Sequence, residues 1–134
     1  MKIAFTTSDH IHINAHFGWA QEIDVYEVSP ESYKFLETLN FQNDSEQHNN
    51  ENKLDSKIDA LSDCTIVYVS QIGGIAAARL IKKKVTPVKS RSDDDEILNI
   101  LNKLTQTLKG NPPPWLRKVL QKDQGTLSEI ELEG

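Results

Sequence analysis

The segment Cys64-Thr65-Ile66-Val67-Tyr68-Val69-Ser70 is nearly continuous in apolar and β-branched residues. A run of that kind fits a strand covered on both faces, and such strands belong to sheets with helices packed on each side. Shortly after it, Gly73-Gly74 opens an Ala-rich stretch, residues 75–83, of high helix propensity. A strand followed by a helix needs a right-handed crossover before the next parallel strand. The short segment Val85-Thr86-Pro87-Val88 supplies that strand, and its proline, which cannot donate to a ladder, belongs at a sheet edge.

The rest of the chain adds strands of a different kind. Residues 2–7 form a short apolar run and read as a strand. Ile23-Asp24-Val25-Tyr26-Glu27-Val28 alternates apolar and polar, the mark of a strand buried on one face. After the turn Ser29-Pro30-Glu31-Ser32, residues 33–41 alternate through Tyr33, Phe35, Leu39 and Phe41 and are predicted to close a hairpin. Residues 42–52 contain no apolar side chain and read as a mobile loop. Leu54, Ile58 and Leu61 have helical spacing over residues 53–61. Residues 92–108 are predicted as a helix with Ser92 as N-cap, an acidic first turn, a stripe of Ile97, Ile100, Leu101, Leu104 and Leu108, and Gly110 as its stop.

The expected architecture is an α/β fold: a mixed five-stranded sheet with one antiparallel hairpin strand pair and helices on both faces. The first strand lies centrally, between the hairpin and the fourth strand. Its 134 residues suit one compact domain. Residues 1–110 are expected to form it. Residues 111–134 form a Pro-rich extension with a short helix around Trp115 and Leu116 and an acidic, frayed end.

Charge and cysteine usage narrow the function. A formal charge of −5 gives no global attraction for nucleic acid, and the run Lys82-Lys83-Lys84 reads as a solvated face. The single cysteine, Cys64, excludes an intramolecular disulfide and suggests a reducing compartment, with Cys64 itself read as a buried small hydrophobe. No stretch approaches the ~20 apolar residues of a membrane span. The expectation is a cytoplasmic protein without nucleic-acid or membrane partners.

Two segments could carry chemistry. The first is Ser8-Asp9-His10-Ile11-His12-Ile13-Asn14-Ala15-His16-Phe17-Gly18-Trp19, which holds three of the four histidines at the carboxyl end of the first strand, where ligands of open α/β sheets collect. His10, beside Asp9, reads as a solvated loop residue, and His12 is open. His16, in the small and apolar context Ala15-His16-Phe17-Gly18, is expected to be partly buried, and spacing alone favours a hydrogen-bonded core residue over a metal ligand. The second segment, Ser70-Gln71-Ile72-Gly73-Gly74-Ile75, is a strand-to-helix turn whose free amides suit an anion. Taken by itself it reads better as a plain tight turn, since neither dinucleotide nor P-loop spacing is present. Neighbouring parallel strands would bring both segments to one cleft. One cysteine cannot supply the thiolates of a conventional iron–sulfur site, so any cluster held there must arrive preassembled.

Residues 1–7, the His16-Phe17-Gly18-Trp19 step with Tyr26-Glu27-Val28 behind it, Ile72-Gly73-Gly74-Ile75-Ala76-Ala77 and Gly110-Asn111-Pro112-Pro113-Pro114-Trp115-Leu116-Arg117-Lys118 together resemble the dinitrogenase iron–molybdenum cofactor biosynthesis family, of the type shared by NifX, NafY and the carboxyl-terminal domain of NifB. The Asn111–Arg117 stretch is the most specific part. The resemblance implies a ribonuclease-H-like sheet and transient binding of an iron–sulfur precursor cluster on its way to the cofactor. It implies His16 as the metal ligand, with Phe17, Gly18, His12, Gly73 and Gly74 around the cluster. It also implies partners among the nitrogenase cofactor-assembly proteins, a cluster donor and a scaffold, and no enzymatic activity. Two alternatives stand beside it. One is a protein-interaction module in cofactor assembly, anchored by Trp115 and Leu116. The other is a nuclease-like hydrolase, suggested by fold analogy and lacking the converging carboxylates that two-metal chemistry needs.

Overall fold

A computed structural model describes residues 1–41 and 50–118. Five strands, β1 (Lys2–Thr6), β2 (Glu22–Val28), β3 (Tyr33–Asn40), β4 (Ile66–Val69) and β5 (Thr86–Lys89), form one sheet in the order β3-β2-β1-β4-β5. β1 pairs antiparallel with β2 and parallel with β4, so it is central, as its sequence position and the crossover rule require. β4, the apolar run, is buried along its whole length. Pro87 sits on β5, opposite Val67, at the sheet edge.

The strands' alternation sorts side chains onto two faces. Ala4, Ile23, Val25, Val67 and Val69 face one core with Ile58 and Leu61 of α1 (Asn50–Ala60 is the helix) and Ala76 and Leu80 of α2 (Gly74–Lys82). Ile3, Phe5, Val28, Ile66 and Tyr68 face the other core with Ile97, Leu101 and Leu104 of α3 (Ile97–Lys109). Cys64 is buried in the first core. Burial of Tyr68, stacked 5.3 Å from Phe5, pushes its hydroxyl pKa up to about 12.

Three sequence expectations need correction. The apolar residues of β3 do not share one face. Val25 pairs with Glu37 but Tyr26 pairs with Phe35, so Leu36 is an extra residue in a bulge. A bulge inverts the phase of all that follows. Leu39 therefore packs with the first core and Tyr33 with the second, despite equal parity. Next, α1 begins at Asn50, inside the stretch read as loop; residues 42–49 lie outside the described residues. Last, Ser92 does not cap α3, which starts at Ile97 after an extended Glu96. The Ser92 and Asp95 side chains serve their own turn, where Arg91 N–H donates to Asp95 Oδ2 at 2.9 Å and Asp94 N–H to Ser92 Oγ at 3.2 Å. Ile97 N–H donates to Ile11 O and Ile13 N–H to Asp95 O, both at 2.8 Å, holding residues 95–97 as a bridge. Helix starts only where that bridge ends.

Residues 114–118 are helical after the three prolines, and Leu116, 1% exposed, belongs to the second core. Trp115, the other anchor proposed from sequence, is 45% exposed. The acidic end expected beyond residue 118 lies outside the described residues. No helix among the described residues is long and apolar enough to cross a membrane.

Candidate functional site

The loop after β1 sorts its three histidines to three places. Thr7 Oγ1 accepts the His10 amide at 3.0 Å, and His10 takes a left-handed backbone, φ 65°. Its Nδ1 then lies 3.0 Å from both oxygens of Asp24, and this hydrogen bond raises the His10 pKa above the ordinary value. His10 remains exposed, as its loop position suggested, while its ring is tied to a buried carboxylate on β2. Asp9 accepts the amides of Ile11 and His12 at 2.9 and 2.8 Å and approaches His12 Nδ1 at 2.7 Å. These bonds, the His12 amide first, hold the Asp9 carboxyl well below the usual range, and Asp9 in turn raises the His12 pKa. His12 bridges to Glu96 and is not part of the cleft described next.

His16 goes elsewhere. Ser70 N–H donates to Ala15 O at 3.2 Å and Phe17 N–H to Gln71 O at 2.8 Å, so the loop zips onto the segment that follows β4. At His16 the chain is extended, φ −74° and ψ 140°, and a 3-10 turn, Phe17–Trp19, follows. Phe17 fills the core completely, which turns His16 outward. His16 is exposed, not partly buried as its apolar neighbours suggested.

A cleft of about 720 Å³ joins His16 and Gly18 to Gln71, Gly73, Gly74 and Lys57. That volume is within the range of small-molecule sites, about 300–1,000 Å³. Gly73 is the N-cap of α2, and Ala77 N–H closes the first turn on Gly73 O at 3.0 Å. Helix geometry leaves the amides of Gly74, Ile75 and Ala76 without intrahelical acceptors, and all three residues line the cleft. A Cβ added to Gly18, Gly73 or Gly74 would meet nothing within 4 Å, and none of the three needs a left-handed backbone. Their lack of side chains keeps backbone open to the cleft; it is not demanded by turning. Trp19, 86% exposed, and Ile75 stand at the edge. The described lining contains no Asp or Glu. Phe17, expected beside the guest, is fully buried and does not line the cleft; its ring lies 5.6 Å from Lys57 Nζ.

Lys57 was missed from sequence. It lies one turn on from Leu54, within the Leu54, Ile58, Leu61 stripe, where a lysine 6% exposed interrupts an apolar face. That interruption was the available signal. Among the described residues no group of three or more His, Cys, Asp or Glu side chains is placed to hold a metal ion, and His16 is the one residue of those four types in the described lining of the cleft.

Fold and cleft together define a small mixed-sheet α/β protein whose carboxyl-edge cleft presents one imidazole, one ammonium and a helix start. Residues 1–107 match the model of the family described as "Dinitrogenase iron-molybdenum cofactor", and the chain belongs to that family. It is 44% identical over 133 residues to "Protein NifX" of Herbaspirillum seropedicae, covering 99% of this chain and 90% of that one. It is 35% identical to "Protein NifX" of Sinorhizobium fredii, covering 90% and 78%. A 32% match to "FeMo cofactor biosynthesis protein NifB" of Bradyrhizobium diazoefficiens covers 64% of this chain and 17% of that protein. The solved structure described as "Crystal structure of PH0822" shares the fold, with TM-score 0.55 at 15% identity over 84% of this chain and 93% of that chain.

Proposed function

We propose that this protein binds an iron–sulfur precursor cluster, or a related intermediate, and carries it during assembly of the nitrogenase iron–molybdenum cofactor. The observation that carries the reading is the convergence of His16 with the Gly73-Gly74 helix start on one cleft without described carboxylates. Imidazole suits iron as a ligand. Backbone amides at a helix start donate to anionic atoms, here the cluster's sulfides. Open glycine backbone at positions 18, 73 and 74 lets a rigid inorganic surface approach closely. Family membership and the NifX and NifB relatives support the pathway.

In this reading the protein is a carrier, not a catalyst. It works in the cytoplasm, receives the cluster from a donor and passes it to a scaffold. We read the β3-β2-β1-β4-β5 sheet, antiparallel on one side of β1 and parallel on the other, as ribonuclease-H-like. A protein-interaction role fits the same surface, because exposed Trp19 and Ile75 at the cleft edge would meet a partner during transfer.

The test is anaerobic gel filtration of the full chain with isolated precursor cluster, followed by iron analysis. His16→Ala is expected to lose most of the bound iron and His12→Ala to keep it. Wild-type retention by His16→Ala would sink the assigned ligand.

A further inference from the structure

We propose that Gln71 is the positioning residue for His16, accepting the ring N–H that a bound metal leaves free, an inference that rests on the carrier reading above. His16 and Gln71 form a parallel bridge, and both line the cleft. Backbones paired in this way run about 4.8 Å apart, and opposed residues project to the same side. The Phe17 amide donates to Gln71 O at 2.8 Å, which fixes the register of the two segments. The side chains of His16 and Gln71 are thus set side by side by backbone pairing.

A histidine on a metal calls for a second partner. The ring nitrogen away from the metal keeps its N–H, and an acceptor there fixes the tautomer and the direction of the ring. Neither the His16 ring nor the Gln71 carboxamide hydrogen-bonds to another described group, so both can turn toward a guest. The backbone acceptors of the turn are already engaged. Ala15 O accepts from Thr6 Oγ1 at 2.8 Å and from the Ser70 amide at 3.2 Å. His16 O takes the amides of Trp19 and Ala20 at 3.1 and 2.9 Å. Lys57 Nζ donates to Phe17 O and to Ala20 O, each at 2.9 Å. Trp19 and Lys57 offer donors only. Two carboxamides remain in the described lining, Gln21 and Gln71, and Gln71 is the one bridged to His16. A carboxylate at this position would orient the ring as well, but its charge would oppose an anionic cluster. A carboxamide supplies the acceptor without the charge.

The test titrates the full chain anaerobically with a thiolate-ligated cubane iron–sulfur cluster, whose thiolates an imidazole can replace. Gln71→Met keeps the length of the side chain and removes the carbonyl acceptor. It is expected to weaken binding by about 10- to 100-fold, the usual cost of removing a residue that supports a metal ligand. In a His16→Ala background the same substitution is expected to change affinity by no more than about 2-fold, because Gln71 acts through His16. Gln21→Met is expected to leave affinity near wild type. Pulsed electron paramagnetic resonance of the reduced cluster, with isotope-labelled histidine, reads the iron–nitrogen coupling. That coupling is expected to change in Gln71→Met and to return in Gln71→Glu, which restores an acceptor.

An equal loss in both backgrounds would make Gln71 a structural or direct-contact residue and overturns the proposal. Wild-type affinity in Gln71→Met overturns it too, and either result leaves the carrier reading intact. Cluster binding that His16→Ala does not weaken overturns the assigned ligand and the proposal together. No cluster binding by the wild type overturns the carrier reading and the proposal with it. Where His16→Ala binds too weakly to titrate, the iron–nitrogen coupling decides: an unchanged coupling in Gln71→Met overturns the proposal. Gln71 is exposed, so urea unfolding of Gln71→Met is expected to match wild type. Should that variant not fold, Gln71→Ala carries the same expectations.

Discussion

His10 Nδ1 lies 3.0 Å from each carboxylate oxygen of Asp24, a side chain only 2% exposed. Thr38 Oγ1 donates to Asp24 Oδ1 at 2.7 Å from the next strand. The carboxylate therefore pins the start of the histidine loop to the sheet, upstream of the turn that presents His16.

This pairing makes stability fall as pH rises. Asp24 raises the folded pKa of His10, and Asp9 raises that of His12. A raised histidine contributes fully below its unfolded pKa of about 6.5 and loses the contribution as pH climbs through the higher folded value. The urea midpoint is expected to drop between about pH 6 and pH 8, and Asp24→Asn is expected to shrink that drop. Equal slopes in both proteins would refute the assignment. Nuclear magnetic resonance titration of the His10 ring gives the midpoint directly.

The cleft glycines separate binding from folding. Gly74 is the first residue of α2, and a Cβ there meets nothing within 4 Å. Gly74→Ala is expected to leave stability unchanged or raise it by up to about 1 kcal/mol, since alanine favours helix. The added methyl points into the space a guest would approach, so cluster affinity is expected to fall. Thermal unfolding together with cluster titration checks both halves. A destabilised variant would contradict the geometry.

Leu116 and Trp115 are neighbours with opposite environments. Leu116→Ala removes a fully buried side chain from the core under α3 and is expected to cost about 2–5 kcal/mol in urea unfolding. Trp115→Ala, at a 45% exposed position, is expected to cost far less. Loss of partner binding in Trp115→Ala, with stability kept, would assign Trp115 to docking.

Much of this arrangement was legible in the residues. The β4 run, the Gly73-Gly74 step and the Ala-rich helix fixed a parallel unit, and period-two alternation gave β2. What escaped depended on contacts distant in sequence. The bulge at Leu36 shows in the sequence only as the polar Glu37 in an apolar parity. The late start of α3 follows from a bridge to residues 11–13, which no local pattern encodes. The histidines could be found but not sorted, because Asp24, fourteen residues from His10, decides where that ring goes. Lys57 reaches the turn across 40 residues, and its role needs the fold.

The step His16-Phe17 sets function and packing on adjacent residues, and the two are expected to separate cleanly. Phe17 is fully buried between the sheet and α1, under Lys57. Phe17→Ala removes that ring and is expected to cost about 3–5 kcal/mol, as truncation of a buried aromatic does. His16 is exposed at the cleft, so His16→Ala is expected to shift stability by no more than about 0.5 kcal/mol. Cluster retention should reverse the order of severity: His16→Ala loses the metal contact in a folded protein. Phe17→Leu, which keeps an apolar filler, should retain most of the bound iron. Urea unfolding and anaerobic iron analysis on the three variants give the comparison. If His16→Ala unfolded as readily as Phe17→Ala, the imidazole would be a packing residue, and the cleft would lose its one candidate for holding metal.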